Sequence, residues 1–345
     1  MTWLSDRAME RLRDAAAAPD LSATRYRLIE RIGRGGMGAI YLAEDTTLGR
    51  RVALKVLEVA DASGQMAARL EREARILARL EHPGVVPVHD AGTLPDGRVY
   101  YAMKYVEGQR LDDYARGPAS TPERLRIFQR ICDAVAFAHS RAVLHRDLKP
   151  DNVMVGPFGE VLVMDWGVAK VLGAAPGEGV AQHSPERAAH SPDALGAAEQ
   201  AQTPTFDTRD GTVIGTPGYM PPEQARGETA RIDKRSDVYS LGMVLRFLLG
   251  NAPAGPDAPA AGERLPAPLA AICSKATRPE PAERYGSVTE LATDVARFLD
   301  GLALLAYPDT PLRRARRLFV RHQEVIWLVL AYLAARILLI FFLRH

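Results

Sequence analysis

Cysteine is scarce in this chain: of 345 residues only Cys132 and Cys273 carry a thiol. They lie far apart without metal-ligand spacing. That excludes a disulfide framework and a Cys-rich zinc site, and it predicts two buried thiols in a reducing compartment. An excess of one charge is lacking too. Against 42 Asp and Glu stand 44 Lys and Arg, a formal net charge of +2, so no global basic field directs the chain to nucleic acid. No internal repeat is visible. Asp6, Arg7, Glu10, Arg11, Arg13 and Asp14 interrupt the first turns, which excludes the apolar core of a secretory leader there. The remaining balance, 47% hydrophobic and 25% charged, is that of a folded protein of one large or two ordinary domains.

Long hydrophobic runs are missing until the C-terminus. There VIWLVLAYLAARILLIFFL, Val325–Leu343, carries one charge, Arg336. Roughly nineteen residues at about 1.5 Å each reach about 28 Å, near the thickness of a bilayer's hydrocarbon core. A central Arg costs about 2.5–3.5 kcal/mol on insertion, which favours a competing reading as a buried core helix. The apolar neighbours outweigh that cost, so a transmembrane helix is expected. An amphipathic anchor lying on the membrane surface is a third option. Arg313, Arg314, Arg316, Arg317 and Arg321 precede the run, whereas only Arg344 and His345 follow it. The positive-inside rule then puts everything before Val325 in the cytoplasm, as in a single-pass protein of the inner (plasma) membrane. Ala331 and Ala335 have small-x₃-small spacing, a weak signal for helix pairing and a homodimer.

Glycine, by contrast, is concentrated. IGRGGMGAIYLAED, Ile32–Asp45, places Gly33, Gly35 and Gly38 as G-x-G-x-x-G. That pattern alone fits a dinucleotide site, a kinase phosphate loop or an ordinary tight turn. Glu58 even stands about where a dinucleotide site wants its acid. The flanks decide: YRLIERI alternates like a strand, and AIYLAED after Gly38 shows no helical stripe, so the motif reads strand–turn–strand. RVALKVL, Arg51–Leu57, follows with Val52, Leu54 and Val56 on one face and Ala53, Lys55 and Leu57 on the other. A lysine in so apolar a strand is either an edge residue with its head in water or a phosphate ligand. The helix Arg69–Leu80 offers Glu71 and Glu73, with Leu70, Ala74, Leu77 and Ala78 as its inward stripe.

These segments, with HRDLKPDN at His145–Asn152, DWG at Asp165–Gly167, GTPGYMPPE at Gly215–Glu223, Asp237 in RSDVYSLG and Arg284 in RPEPAERYGS, resemble a protein kinase in family order. The likeness runs from about Tyr26 to Leu299. It is nearest to the membrane-anchored, eukaryotic-like serine/threonine kinases of bacteria. The resemblance implies an α+β, two-lobed fold: an antiparallel sheet plus one helix in the N-lobe, residues 25–106, and a mainly helical C-lobe, residues 107–300. Around these the sequence leaves an extension at 1–24, an activation-segment insert at 171–211, a basic juxtamembrane linker at 301–324 and the helix at 325–343. The insert is rich in Ala, Gly, Pro and Gln and is expected to be disordered.

The resemblance also implies roles. Lys55, paired with Glu73, would hold the α- and β-phosphates of ATP; Glu71 is expected to be solvated. Asp147 would accept the substrate hydroxyl proton or orient that hydroxyl, and Lys149 would contact the transferring phosphate. Asn152 and Asp165 would hold Mg²⁺, or Mn²⁺ in its place. Ile32, Gly33, Arg34, Gly35, Gly36, Met37 and Gly38 would cover the nucleotide. Ile32, Ala39 or Ile40, Ala53 and Met154 would wall the adenine slot, Met103 would stand as gatekeeper, and backbone groups of Lys104, Tyr105 and Val106 would bond the base. His145 would be architectural. Arg146 implies control by a phosphorylated activation loop, with Thr203, Thr205, Thr208 and Thr212 as candidate sites and Thr216 in the substrate-facing loop. Lys149 and Gly215–Thr216 resemble the serine/threonine type, so protein substrates bearing Ser or Thr are expected. Trp166 departs from the usual Phe, Lys104 from an acid common at the hinge and Pro221 from Ala. The stretch Asn251–Pro268 replaces a longer, helical family region. A scaffold that binds ATP or partners without transfer, and a small-molecule kinase of the same broad fold, are the rival readings.

Overall fold

The computed structural model describes residues 18–35, 38–57, 64–167, 169–171, 218–250, 265–308 and 327–336. Gly36, Met37, Thr203, Thr205, Thr208, Thr212, Thr216 and the insert beyond Val171 lie outside the described residues. Strands β1 (Tyr26–Gly35) and β2 (Gly38–Asp45) form an antiparallel hairpin in which Gly35 faces Gly38. A Cβ on Gly38 would stand 2.2 Å from the carbonyl oxygen of Val56, so only glycine lets β2 approach β3 (Arg50–Val56) there. With β4 (Val88–Thr93) and β5 (Val99–Lys104) they complete a five-stranded antiparallel sheet in the order β1-β2-β3-β5-β4.

The alternation in β3 sorts two cores. Val52, Leu54 and Val56 join Leu21, Tyr26, Tyr41, Leu94 and Tyr100 on one side of the sheet. Ala53 and Leu57 join the larger core that continues into the C-lobe. Helix α1 (Gln65–Arg79) packs on that side. It starts at Gln65 rather than Arg69, after Gly64 in the left-handed conformation. Leu70, Glu73, Ala74, Ile76 and Leu77 are buried. Ala78, expected on the inward stripe, is exposed; the inward face turns through Ile76 instead.

A short β6 (Gln109–Arg110) and α2 (Leu111–Arg116) lead to α3 (Thr121–Ser140), the spine of the second lobe. Ser120 and Glu123 cap its start reciprocally, and Leu125, Phe128, Ile131, Cys132 and Val135 fill the core beneath it. β7 (Val143–Leu144), a 3-10 turn at Pro150–Asn152, β8 (Val153–Val155), β9 (Val161–Val163) and β10 (Lys170–Val171) carry the loops of the site. Sheets β6-β8-β9 and β10-β7 hold them. Helices α4 (Pro222–Ala225), α5 (Lys234–Leu248), α6 (Ala267–Ala276) and α7 (Val288–Leu299) complete the lobe. Both cysteines are free and buried.

The chain after α7 is tied back. The buried Asp294 carboxylate accepts the Leu305 N–H at 2.7 Å, the Ala306 N–H at 2.9 Å and the Tyr285 hydroxyl at 2.8 Å. Residues 327–336 are helical and exposed. Ten residues of helix span about 15 Å, half of a hydrocarbon core of about 30 Å. Among the described residues no helix is long and apolar enough to cross a membrane; the rest of Val325–Leu343 lies outside them.

Candidate active site

The apolar strand β3 puts Lys55 beneath the glycine hairpin, opposite Ile40 of β2 and Tyr101 of β5. Its Nζ bonds both carboxylate oxygens of Glu73 at 2.8 Å and Oδ1 of Asp165 at 3.3 Å. Burial pulls the ammonium pKa down, but the Glu73 and Asp165 carboxylates outweigh it and leave it raised. Lys55 is therefore a fixed cation, not an edge lysine in water. Glu71 is left to Arg75, one turn on, at 2.9 Å. Tyr101 adds a donor that the sequence pattern does not announce: its hydroxyl bonds Glu73 Oε1 at 2.9 Å. Burial first, then Glu73, push that phenol far up, so it stays a donor. The register with Lys55 is the only trace of this role, and it becomes legible once β3 and β5 are paired.

The loop after β7 carries the next group. Asp147 Oδ2 stands 3.1 Å from Lys149 Nζ. Asn152 donates its amide N–H to the Asp147 carbonyl at 2.8 Å and to Asp147 Oδ2 at 3.2 Å. Asp237, fully buried at the start of α5, accepts the backbone N–H of His145 and of Arg146 at 2.9 Å each, and His139 Nε2 at 2.7 Å. Burial raises the Asp237 carboxyl, yet those donors and the two histidines hold it below its ordinary range. Arg146 itself sits at φ 69°, in the left-handed region. His145 Nδ1 accepts the Asp147 N–H at 3.3 Å while Nε2 donates to the Met164 carbonyl at 3.0 Å, an architectural bridge between the two loops.

Asp165 follows β9. Burial raises its carboxyl, and Lys55, His145 and Lys149 lower it further than burial lifts it. A carboxylate at Asp165 and the amide oxygen of Asn152, whose nitrogen is already engaged, make two hard oxygen donors. That set fits Mg²⁺, which binds through one or two protein oxygens and keeps the rest of its shell for water and phosphate. Trp166 is fully buried, so the larger ring is accommodated behind Asp165 rather than displaced.

The slot between the lobes is lined as follows. Ile40, Ala53 and Met103 belong to the inter-lobe core. Ala39 lies on the opposite face, in the second cluster, because adjacent residues of a strand point to opposite sides; Ile40 is the one that faces the slot. Ile32 is exposed, Met154, Tyr105 and Val106 are half-buried, and Lys104 is exposed with its N–H given to the Pro87 carbonyl. Gly33, Arg34 and Gly35 lie on the last part of β1. On the other side of the loop, Glu223 and Arg284 form a buried two-pronged pair at 2.7 and 2.8 Å. Arg146 keeps its side chain near Arg69 and Arg72 of α1. Burial first, and then those two cations, lower its pKa against the pull of Asp237, and its buried Nε has no hydrogen-bond partner.

A paired Lys–Glu under a glycine hairpin, facing an Asp–Lys–Asn loop and a second carboxylate, is a phosphoryl-transfer arrangement. The profile of the protein kinase domain matches residues 26–263. The chain belongs to the protein kinase domain family. The serine/threonine-protein kinase PknD of Chlamydia pneumoniae is 35% identical over 310 residues, 80% of this chain and 31% of that protein. The protein of the same name from Protochlamydia amoebophila is 34% identical over 316 residues, 80% and 30% of the two chains. This kinase chain thus spans about a third of the length of the curated relatives it matches. Among solved structures, the Mycobacterium tuberculosis PknI kinase domain is similar with a TM-score of 0.55 and 28% identity, over 79% of this chain and 96% of that one.

Proposed function

We propose that this chain transfers the γ-phosphoryl group of ATP, with Mg²⁺, to serine or threonine of protein substrates. The observation that carries the reading is the Lys55 ammonium held at 2.8 Å by both oxygens of Glu73 and at 3.3 Å by Asp165. Glu73 and Tyr101 keep Lys55 aimed at the phosphates. Asp147 orients the attacking hydroxyl and accepts its proton, and Lys149 neutralises charge that builds on the phosphoryl oxygens. Mg²⁺, held by Asn152 and Asp165, would supply further charge neutralisation at the phosphates. The naming of the PknD relatives as serine/threonine kinases supports the acceptor class.

The unpartnered Arg146 Nε beside Arg69 and Arg72 supports regulation by autophosphorylation, with a phosphate on Thr203, Thr205, Thr208 or Thr212 docking there. Trp327, Leu328, Val329, Leu330, Tyr332 and Leu333 are exposed around the 327–336 helix. A helix apolar on so many sides wants a lipid or protein environment. With the arginines before Val325 this supports a membrane anchor, with the kinase lobes on the cytoplasmic side of the inner membrane and a homodimer through Ala331 and Ala335. Carbonate extraction that strips the chain from vesicles would refute the span.

The deciding experiment is radiolabelled transfer by the full chain in lipid, beside Asp147→Asn and Lys55→Met. Label on the wild type, recovered as phosphoserine or phosphothreonine and lost by at least about 100-fold in both variants, is the expected result. ATP binding without label in any condition would mean a scaffold.

A further inference from the structure

The loop that carries Asp147 bends at a residue with little liking for the bend. Arg146, one position before Asp147, has φ 69°. A non-glycine residue holds that conformation only where its surroundings over-determine it. The strained torsion lies between the N–H and the carbonyl of Arg146, so holding it takes a contact on each side. On the N–H side, Asp237 accepts the N–H of Arg146 and of His145 at 2.9 Å each. On the carbonyl side, Gln224 Nε2 donates to the Arg146 carbonyl at 2.8 Å. That carbonyl belongs to the peptide that leads into Asp147. Gln224 is itself well mounted. It is 3% exposed and stands on α4, its N–H bonded to the Pro221 carbonyl and its own carbonyl accepting from Gly227, both at 3.0 Å. Glu223, just before it, is gripped by Arg284 on both oxygens and by Ser236 on Oε1. The strained torsion is thus held between α5 and α4. An apolar side chain would fill the buried position on α4 as well, but it would bring no donor to the loop.

We propose that Gln224 is a positioning residue for phosphoryl transfer, its side-chain amide holding the Arg146–Asp147 peptide and with it the aim of the Asp147 carboxylate. The proposal rests on the kinase reading of the site. Rotation about the Arg146 N–Cα bond relieves the left-handed φ. While Asp237 keeps the N–H, that rotation swings the Arg146 carbonyl and carries Asp147 with it. The bond from Gln224 opposes the swing. Without it the fraction of molecules with Asp147 in place falls, and turnover falls with that fraction. Lys55, Glu73 and Asp165 are mounted on β3, α1 and the turn after β9, so the hold on ATP does not change.

Two measurements on the full chain test this. Gln224→Met keeps the length of the side chain and removes its donor. In the label assay it should lower kcat about fivefold, the effect of one lost hydrogen bond, with KM for ATP unchanged. Arg146→Gly supplies a second background, because glycine adopts the left-handed φ without penalty. There the same Gln224→Met change should lower kcat by about twofold or less relative to Arg146→Gly alone. Equal losses in both backgrounds would show that Gln224 does not act through the strained torsion and would overturn the proposal. A lower melting temperature with unchanged kcat would make Gln224 merely structural and also overturn it, as would a raised KM for ATP at unchanged kcat. The second measurement is amide exchange by mass spectrometry, which needs no turnover. The fragment that contains His145, Arg146 and Asp147 should exchange faster in Gln224→Met than in the wild type. Unchanged exchange would overturn the grip even in an active kinase. Faster exchange in the variant beside a wild type that never transfers label would overturn the kinase reading and leave the grip standing.

Discussion

At Glu73, two neighbours converge on one buried carboxylate: the Lys55 ammonium on both oxygens and the Tyr101 hydroxyl on Oε1. The two contributions separate by mutation. Tyr101→Phe removes one neutral donor worth about 1 kcal/mol and should lower kcat/KM for ATP by about fivefold or less. Glu73→Gln removes the counter-charge and leaves a desolvated ammonium, a loss of about 3–5 kcal/mol where a buried pair is broken. It should therefore cost at least about 100-fold in kcat/KM. Steady-state kinetics with varied ATP distinguish them; equal losses would mean that Tyr101, not charge, aims Lys55. The pair was legible only through the family resemblance, which sets Glu73 against Lys55; the apolar strand by itself also fits an edge lysine with its head in water, and the helix offers Glu71 as well. Tyr101 was not, because nothing in YYAMK marks which tyrosine faces the helix until the β3–β5 register is known.

On the scale of elements, the strand–turn–strand reading of the glycine run holds, since hairpin and helix differ in period and the flanks show the period of two. The helix boundary was less legible. Gly64 starts α1 through its backbone with no side-chain cap, and the inward face follows Ile76 rather than Ala78 because burial follows the neighbouring strands. Nor did the sequence show that Ala39 and Ile40 divide between two cores. The motif glycines also differ in what they do. Gly33 has no neighbour nearer than 3.7 Å to a built Cβ, whereas Gly38 would meet the Val56 carbonyl oxygen at 2.2 Å. Gly38→Ala should therefore push β2 from β3, at the cost of about 1–3 kcal/mol typical of overpacking. It should weaken ATP binding as the hairpin lifts. Gly33→Ala should leave the melting temperature nearly unchanged. Thermal unfolding and nucleotide titration check both, and equal effects from the two would show that loop flexibility, not the β2–β3 approach, is what the glycines provide.

For the whole molecule, the C-lobe hangs on buried carboxylates that the motifs name but whose energetics only the packing reveals. Glu223 is fully buried against Arg284, and Asp237 against the His145–Arg146 backbone. Burial lifts the Glu223 carboxyl, and the bonds from Arg284 and Ser236 bring it below its ordinary value of 4.5. Asp237 likewise lies below its ordinary 3.8. Between the folded and ordinary values the unfolded chain binds more protons than the folded one, so stability rises with pH there. The stabilising contribution is complete above about pH 4.5 and is lost as pH falls through the folded values. Arg284→Met makes the Glu223 part separable. At neutral pH it strands a buried carboxylate and should cost about 3–5 kcal/mol. With Arg284 gone the lift from burial prevails, so the stranded group becomes neutral already above its ordinary value, while the wild type loses its contribution below about pH 4.5; the gap between variant and wild type should therefore narrow as pH falls. Urea unfolding of both proteins from pH 7 to pH 3 measures that gap; a gap constant across the range would mean that Arg284 stabilises the lobe through its bonds to the Arg235, Arg278 and Pro279 carbonyls rather than through Glu223.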